Sequence, residues 1–223
     1  MQNKKQTVYN VHESLCVSLV LALMGGFLDS YTFILKDGVF ANAQTGNLIL
    51  LSISLFNGAY SLVPQYLLPI LFFSLGILLS EFTKNTAFTG AEKKIKIVLL
   101  FKAAVLIVIG LTSARTEALF TTCTVSFLAA VQVGTFNKLE GSAVATTMIT
   151  GNLKSAMQCL HSFLFLKDKK AGKVFAQYIA VIVFFGIGAG TGAFLTRTFA
   201  DNSIYFCLIF IAAAYGLLSL KTF

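Results

Sequence analysis

The residues with chemical capacity stand where polar groups are costly. Asp29 lies within an apolar run, directly after Gly25-Gly26-Phe27-Leu28. A carboxyl group at the centre of a membrane helix costs about 2.5–3.5 kcal/mol on insertion scales, and such groups mark ion or proton pathways or internal pairs. An acid nearer the interface can also be hydrated or cap the link that follows. Two further clusters share a tripeptide. Thr45-Gly46-Asn47 follows Asn42 and Gln44; Thr150-Gly151-Asn152 follows Thr146 and Thr147, about one hundred residues later. Each copy follows a membrane-length apolar segment and precedes two more.

Thr is a good helix N-cap, and an adjacent Gly relaxes the turn. The runs after each tripeptide, Leu48-Ile49-Leu50-Leu51 in the first copy, read as helices. Their first N–H groups have no intrahelical partner, and the dipole makes that end positive. Two such starts approaching from opposite faces would form a polar, anion-favouring spot. Asp29, Asn42, Gln44, Thr45, Gly46, Asn47, Gln132, Thr146, Thr147, Thr150, Gly151 and Asn152 form the candidate substrate-binding set. The same Thr, Gly and Asn residues could equally cap and pack short helices with no ligand. The acid has no counterpart in the second half, where the comparable stretch is Gln132-Val133-Gly134.

Other polar residues offer less. Glu81 ends an apolar run near Lys84, which suits an interfacial pair. Asn137 ends another and suits packing or a cavity wall equally. His12 and His161 have no acid or nucleophile close in sequence and read as structural. An intramembrane enzyme would need a nucleophile–base pair or a metal cluster within the spans, and scattered acids with two isolated histidines do not supply one. Cys16, Cys123, Cys159 and Cys207 are far apart and lack C-x-x-C spacing, so they read as small buried hydrophobes. No metal or cofactor is expected. The glycine run from Gly186 to Gly192 has no strand before it, which excludes a phosphate loop. Its Gly188 and Gly192 form a G-x-x-x-G step suited to close helix packing, within the chain or between copies in a homo-oligomer.

The elements that must position these residues are membrane helices. The chain has 223 residues, 57% hydrophobic and only 12% charged, with a mean hydropathy of +0.81. Soluble domains carry about 25% charged residues, so an ordinary soluble fold is excluded. The net charge of +8 is placed better at the ends of spans than on nucleic acid, because no basic run is interleaved with aromatics outside the apolar segments. Met1-Gln2-Asn3-Lys4-Lys5 resembles the start of a signal peptide, but the following apolar stretch lacks a small-residue cleavage site and reads as a retained helix.

Six segments approach spanning length: Leu15–Leu35, Tyr66–Phe82, Ile97–Thr112, Leu119–Phe136, Phe175–Thr196 and Ile204–Leu220. Thr45–Phe56 and Thr150–Phe165 are shorter; the first would be about 18 Å long, roughly half a bilayer. The charges arbitrate. If neither short segment crosses, Lys84, Lys93, Lys94, Lys96, Lys138, Lys154, Lys167, Lys169, Lys170 and Lys173 lie on the cytoplasmic side with Lys4, Lys5 and Lys221. Only Lys36, Arg115 and Arg197 lie opposite, and Lys102, inside a span, would snorkel back to the cytoplasmic face. If both cross, the bias nearly vanishes. The positive-inside rule therefore predicts three spans per half. Three is odd, so the halves are expected to be inverted repeats, residues 14–113 and 117–221, within one membrane domain. Phe72-Phe73-Ser74-Leu75-Gly76 and Phe184-Phe185-Gly186-Ile187-Gly188 recur in the span after each tripeptide. The predicted fold is an all-α polytopic membrane protein with two three-span inverted repeats, each with a short helix, re-entrant or broken, started by Thr-Gly-Asn.

The stretches Gly25-Gly26-Phe27-Leu28-Asp29-Ser30 and Val39-Phe40-Ala41-Asn42-Ala43-Gln44-Thr45-Gly46-Asn47 resemble the signature of the YoaK-type bacterial membrane proteins. Val144-Ala145-Thr146-Thr147-Met148-Ile149-Thr150-Gly151-Asn152-Leu153 resembles their second element. Two positions depart from that signature: Ser30 stands for Ala, and Val133-Gly134 for Asn-Ala after Gln132. The resemblance covers essentially the whole chain. It implies a multi-pass protein of the bacterial inner membrane and supplies no substrate; the charge distribution puts both termini in the cytoplasm. The function expected is a small-solute permease for a polar or anionic solute. The alternative is a non-transporting protein that binds lipid or assembles a partner complex.

Overall fold

A computed structural model describes residues 14–84, 91–112 and 117–220. Lys4, Lys5, His12, Arg115 and Lys221 lie outside the described residues. The helices are α1 (Leu15–Leu35), α2 (Gln44–Phe56), α3 (Val63–Lys84), α4 (Ala91–Thr112), α5 (Ala118–Thr135), α6 (Ile149–Phe165), α7 (Lys169–Phe199) and α8 (Cys207–Leu220). Ser14 caps α1, its hydroxyl accepting from the Val17 N–H at 3.5 Å. Between α5 and α6 a minimal hairpin pairs Lys138–Leu139 with Ser142–Ala143. It turns through Glu140 (φ 44°) and Gly141 (φ 84°), the positive-φ pair that tight hairpins require.

Among the described residues five apolar helical stretches are long enough to cross a membrane: Leu15–Leu35, Tyr60–Thr83, Lys93–Thr112, Ala118–Thr135 and Lys169–Leu220. The last joins α7 to α8 through a 3-10 turn over Ala200–Phe206, where the sequence predicts two separate spans. α2, with 13 residues, is about 20 Å long and too short to cross on its own. α6 exposes Lys154, Gln158 and His161 along one side, and His161 stacks on Phe165 with 4.9 Å between ring centres. Large apolar side chains such as Phe56, Phe82 and Leu111 face outward, as suits a protein solvated by lipid. The chain is an all-α polytopic membrane protein with one small hairpin.

Bare backbone makes the two main helix crossings. Gly26 lies against the Phe185 carbonyl and the Ala189 amide, Gly188 against the backbone of Leu23, and Gly192 against Phe27. Numbers rise together along both helices, so α1 and α7 run parallel. Ser30 Oγ donates across this crossing to the Ala189 carbonyl at 2.8 Å. Likewise Gly76 lies against the Phe127 carbonyl and Ala130, and Gly134 against Ser80, so α3 and α5 run parallel. Without hydrocarbon-excluding water between helices, such close van der Waals contact is a main source of association. The Gly188–Gly192 step is therefore filled by α1 of the same chain, one of the two packings the sequence allows.

Gln65 Nε2 donates to the Asp37 carbonyl at 2.7 Å, so α3 starts beside the end of α1 and the two run antiparallel. α8 and the turn before it close the bundle against α1 and α4, burying Ile204, Ile211 and Leu218 with Val17, Leu21 and Phe27. Lys36, just beyond α1, is buried and paired with Asp201 at 2.7 Å, fixing that end of α1 to the α7–α8 turn.

Candidate functional site

The chain doubles back after α1. Residues 36–43 return along it until Asn42 Nδ2 donates to the Gly25 carbonyl at 3.1 Å, midway along α1. There α2 begins. The segment 136–148 returns from the end of α5, and Thr147 packs on the same Gly25 just before α6 begins. The two short helices thus start at one level, beside the middle of α1.

Each returning loop is held by one asparagine. Asn47, fully buried, accepts the Phe40 N–H at 2.9 Å and donates to the Phe40 carbonyl at 2.7 Å. Asn152 accepts the Ala145 N–H at 3.4 Å and donates to the Ala145 carbonyl at 2.6 Å. Both amides reach back seven residues and act as a mock strand for loop backbone that hydrocarbon could not satisfy. Asn47 Nδ2 also donates to Gln44 Oε1 at 2.9 Å.

The sequence reading put Thr45 and Thr150 at the N-caps. The caps of α2 and α6 each lie two residues earlier, at Ala43 and Met148, with no side-chain cap bond. The asparagine clasps set the helix starts instead. For α2 the counter-charge comes from another helix: Asp29 Oδ1 accepts the Asn42 N–H at 2.7 Å and Asn42 Nδ2 at 3.2 Å, with the Ala41 and Ala43 amides beside the same carboxylate. A carboxylate at a helix N-terminus is electrostatically favoured. Nothing comparable serves α6.

Between the two starts lies a cavity of about 610 Å³. From the candidate set it is lined by Asp29, Asn42, Gln44, Thr45, Thr147, Thr150 and Gly151. Gly46, Asn47 and Asn152 stand behind this wall; Gly46 is closed in by Phe40, 3.0 Å from where a Cβ would lie. A Cβ on Gly151, in contrast, would meet nothing within 4 Å. Gln132 and Thr146 belong to a buried network alongside. Lys102 Nζ donates to Gln132 Oε1 at 2.5 Å, and Gln132 Nε2 donates to Thr146 Oγ1 at 3.3 Å and the Leu21 carbonyl at 3.4 Å. Lys102 therefore points into the bundle, 2% exposed, and does not snorkel: the Gln132 carbonyl on α5 offers it an acceptor that the sequence of α4 alone does not reveal.

The sequence reading left several cavity residues unmarked. Arg197, in the last turn of α7, stands at the wall, and Phe33, Phe40, Phe73 and Phe185 supply apolar surface. The α1–α7 crossing brings Phe185 and Arg197 there, and a glycine-lined crossing was the only sequence signal for it. Among the described residues no group of three His, Cys, Asp or Glu side chains could hold a metal ion. The cavity can present hydroxyls, amides, one neutralised acid and one guanidinium to a small ligand, against aromatic walls.

The chain belongs to the family described as Protein of unknown function (DUF1275), whose profile matches residues 17–217. No curated protein and no solved structure matches it.

Proposed function

We propose that this member of the family is a small-solute permease of the YoaK type, with its solute site in the cavity between the starts of α2 and α6. The observation that carries the reading is the meeting of both short helices at the middle of α1, around one cavity of about 610 Å³. Secondary transporters place their sites at the midplane, where discontinuous helices end between inverted repeats. In this reading residues 14–113 and 117–221 are such repeats, and α2 and α6 each leave by the face from which their loop entered. The antiparallel course of α1 relative to α5, and of α3 relative to α7, supports the inversion, as do the matching asparagine clasps. The lysine-rich links around Lys84–Lys96 and Lys167–Lys173 then share the cytoplasmic face of a bacterial inner membrane with both termini. The protein is not an enzyme in this reading.

The test is stopped-flow light scattering of proteoliposomes with small neutral, anionic and cationic solutes. Wild-type protein is expected to pass at least one of them. Gly151→Leu, which fills open space beside α6, is expected to abolish that flux with its melting temperature within about 3 °C of wild type. Undiminished flux in folded Gly151→Leu protein overturns the reading. The aromatic wall formed by Phe33, Phe40, Phe73 and Phe185 favours a second reading, a lipid-binding protein without transport. A co-purifying lipid with no flux of any solute would support it.

A further inference from the structure

We infer that the cavity binds an organic anion: a carboxylate or similar singly charged head, held near α6 and Arg197, on a compact apolar body. The inference rests on the cavity as a binding site and not on transport through it.

Two helix starts face the cavity, and only one has its counter-charge. The start of α2 is engaged by Asp29 through the Asn42 amide and side chain, so the partial positive charge of that helix end is already offset by a full carboxylate. The start of α6 also lines the wall, through Ile149, Thr150 and Gly151, and has no acid. Two independent observations in the cavity point to a ligand. Thr147 is 5% exposed, lines the cavity, and its buried hydroxyl has no hydrogen-bond partner. Buried hydroxyls are rarely left so. Arg197 lines the same cavity, and among the described residues no ion pair or hydrogen bond engages its guanidinium. A positive helix end, an unengaged guanidinium and an orphaned hydroxyl together recognise an anionic oxygen group. Arg197 and the two helix ends together outweigh the Asp29 carboxylate, which leaves the local balance positive.

The rest of the wall sets the body of the ligand. Phe33, Phe40, Phe73 and Phe185 surround space that is ample for a ring or a short chain, within the usual range of small-molecule sites. A strongly hydrated inorganic ion would leave this surface unmatched. An aromatic acid and a lipid-derived acid share the required chemistry.

The experiment is equilibrium dialysis of radiolabelled benzoate against the full chain in nanodiscs, with benzamide and benzylamine as uncharged and cationic competitors of the same shape. Benzoate is expected to bind, and neither competitor to displace it at equal concentration. Arg197→Gln is expected to weaken binding about tenfold and Arg197→Lys less, as for loss of one charge-assisted contact. Arg197 is exposed, so both variants should remain monodisperse. Thr147→Val, a shape-conserving change, is expected to weaken benzoate binding without lowering the melting temperature. Competition by decanoate separates the sources: decanoate binding far tighter than benzoate assigns a lipid-derived acid, and comparable affinities assign a small soluble one. Absence of benzoate and decanoate binding, displacement by benzylamine, or unchanged affinity in Arg197→Gln would overturn the inference. Anion binding without flux would sink the permease and leave this inference standing; flux of only neutral or cationic solutes, without benzoate binding, would do the reverse.

Discussion

The loop before α2 and the loop before α6 are held alike and served differently. Asn47 and Asn152 each close a bidentate clasp on backbone seven residues earlier. Behind each loop, the preceding long helix contributes one polar side chain. On α1 it is Asp29, which reaches Asn42 and carries a charge to the start of α2. On α5 it is Gln132, which reaches Thr146 but turns its carbonyl to Lys102 on α4. The scaffold of irregular backbone is thus common to both loops, while their electrostatics differ. The start of α2 has a counter-charge and the start of α6 has none, and that difference gives the cavity a direction.

The largest effect expected in breaking this comparison is at Gln132. Gln132→Leu leaves the Lys102 ammonium buried without its acceptor and should cost about 3–5 kcal/mol, read as loss of folded protein in detergent. Adding Lys102→Met removes the stranded charge, so the double variant should recover most of that loss. A double variant no more stable than Gln132→Leu would show that Gln132 acts mainly through Thr146.

The clasps test the similarity. Asn47→Ala and Asn152→Ala each orphan a partly buried N–H and carbonyl, and each should cost about 1–3 kcal/mol in reversible unfolding. A large cost at Asn47 with none at Asn152 would break the equivalence. Asp29→Asn sharpens the difference with a smaller effect. It keeps an acceptor for the Asn42 N–H but removes the charge from the start of α2, for about 1 kcal/mol of destabilisation. The exposed helix end then competes for the anion. Benzoate binding should become no weaker, whereas a ligand held by Asp29 itself would be lost.

Much of this was legible in the sequence, for identifiable reasons. The Leu15–Leu35 helix was read to the residue because polar neighbours bound the apolar run on both sides. The two short helices were visible as brief apolar runs, and the charge distribution, not their length, was the argument against their crossing. Their caps were misplaced by two residues because Thr has a strong intrinsic capping preference, while the group that decides the start is an Asn folding back seven positions. Lys102 was misread because one helix does not say which face it buries; that depends on Gln132, thirty residues away on another helix. Arg197 was passed over because its place at the cavity follows from the α1–α7 crossing, which a stripe of glycines signals without naming the partner.

The account stands on two short helices that start at a common level and leave by opposite faces. Cysteine labelling in a background with Cys16, Cys123, Cys159 and Cys207 replaced tests this directly, with Gly58→Cys after α2 and Lys167→Cys after α6, using a membrane-impermeant maleimide on intact cells and on inverted vesicles. The expected result is labelling of position 58 from outside only and of position 167 from inside only. Labelling of both positions from the same side would mean that the short helices cross the bilayer, and would contradict the account.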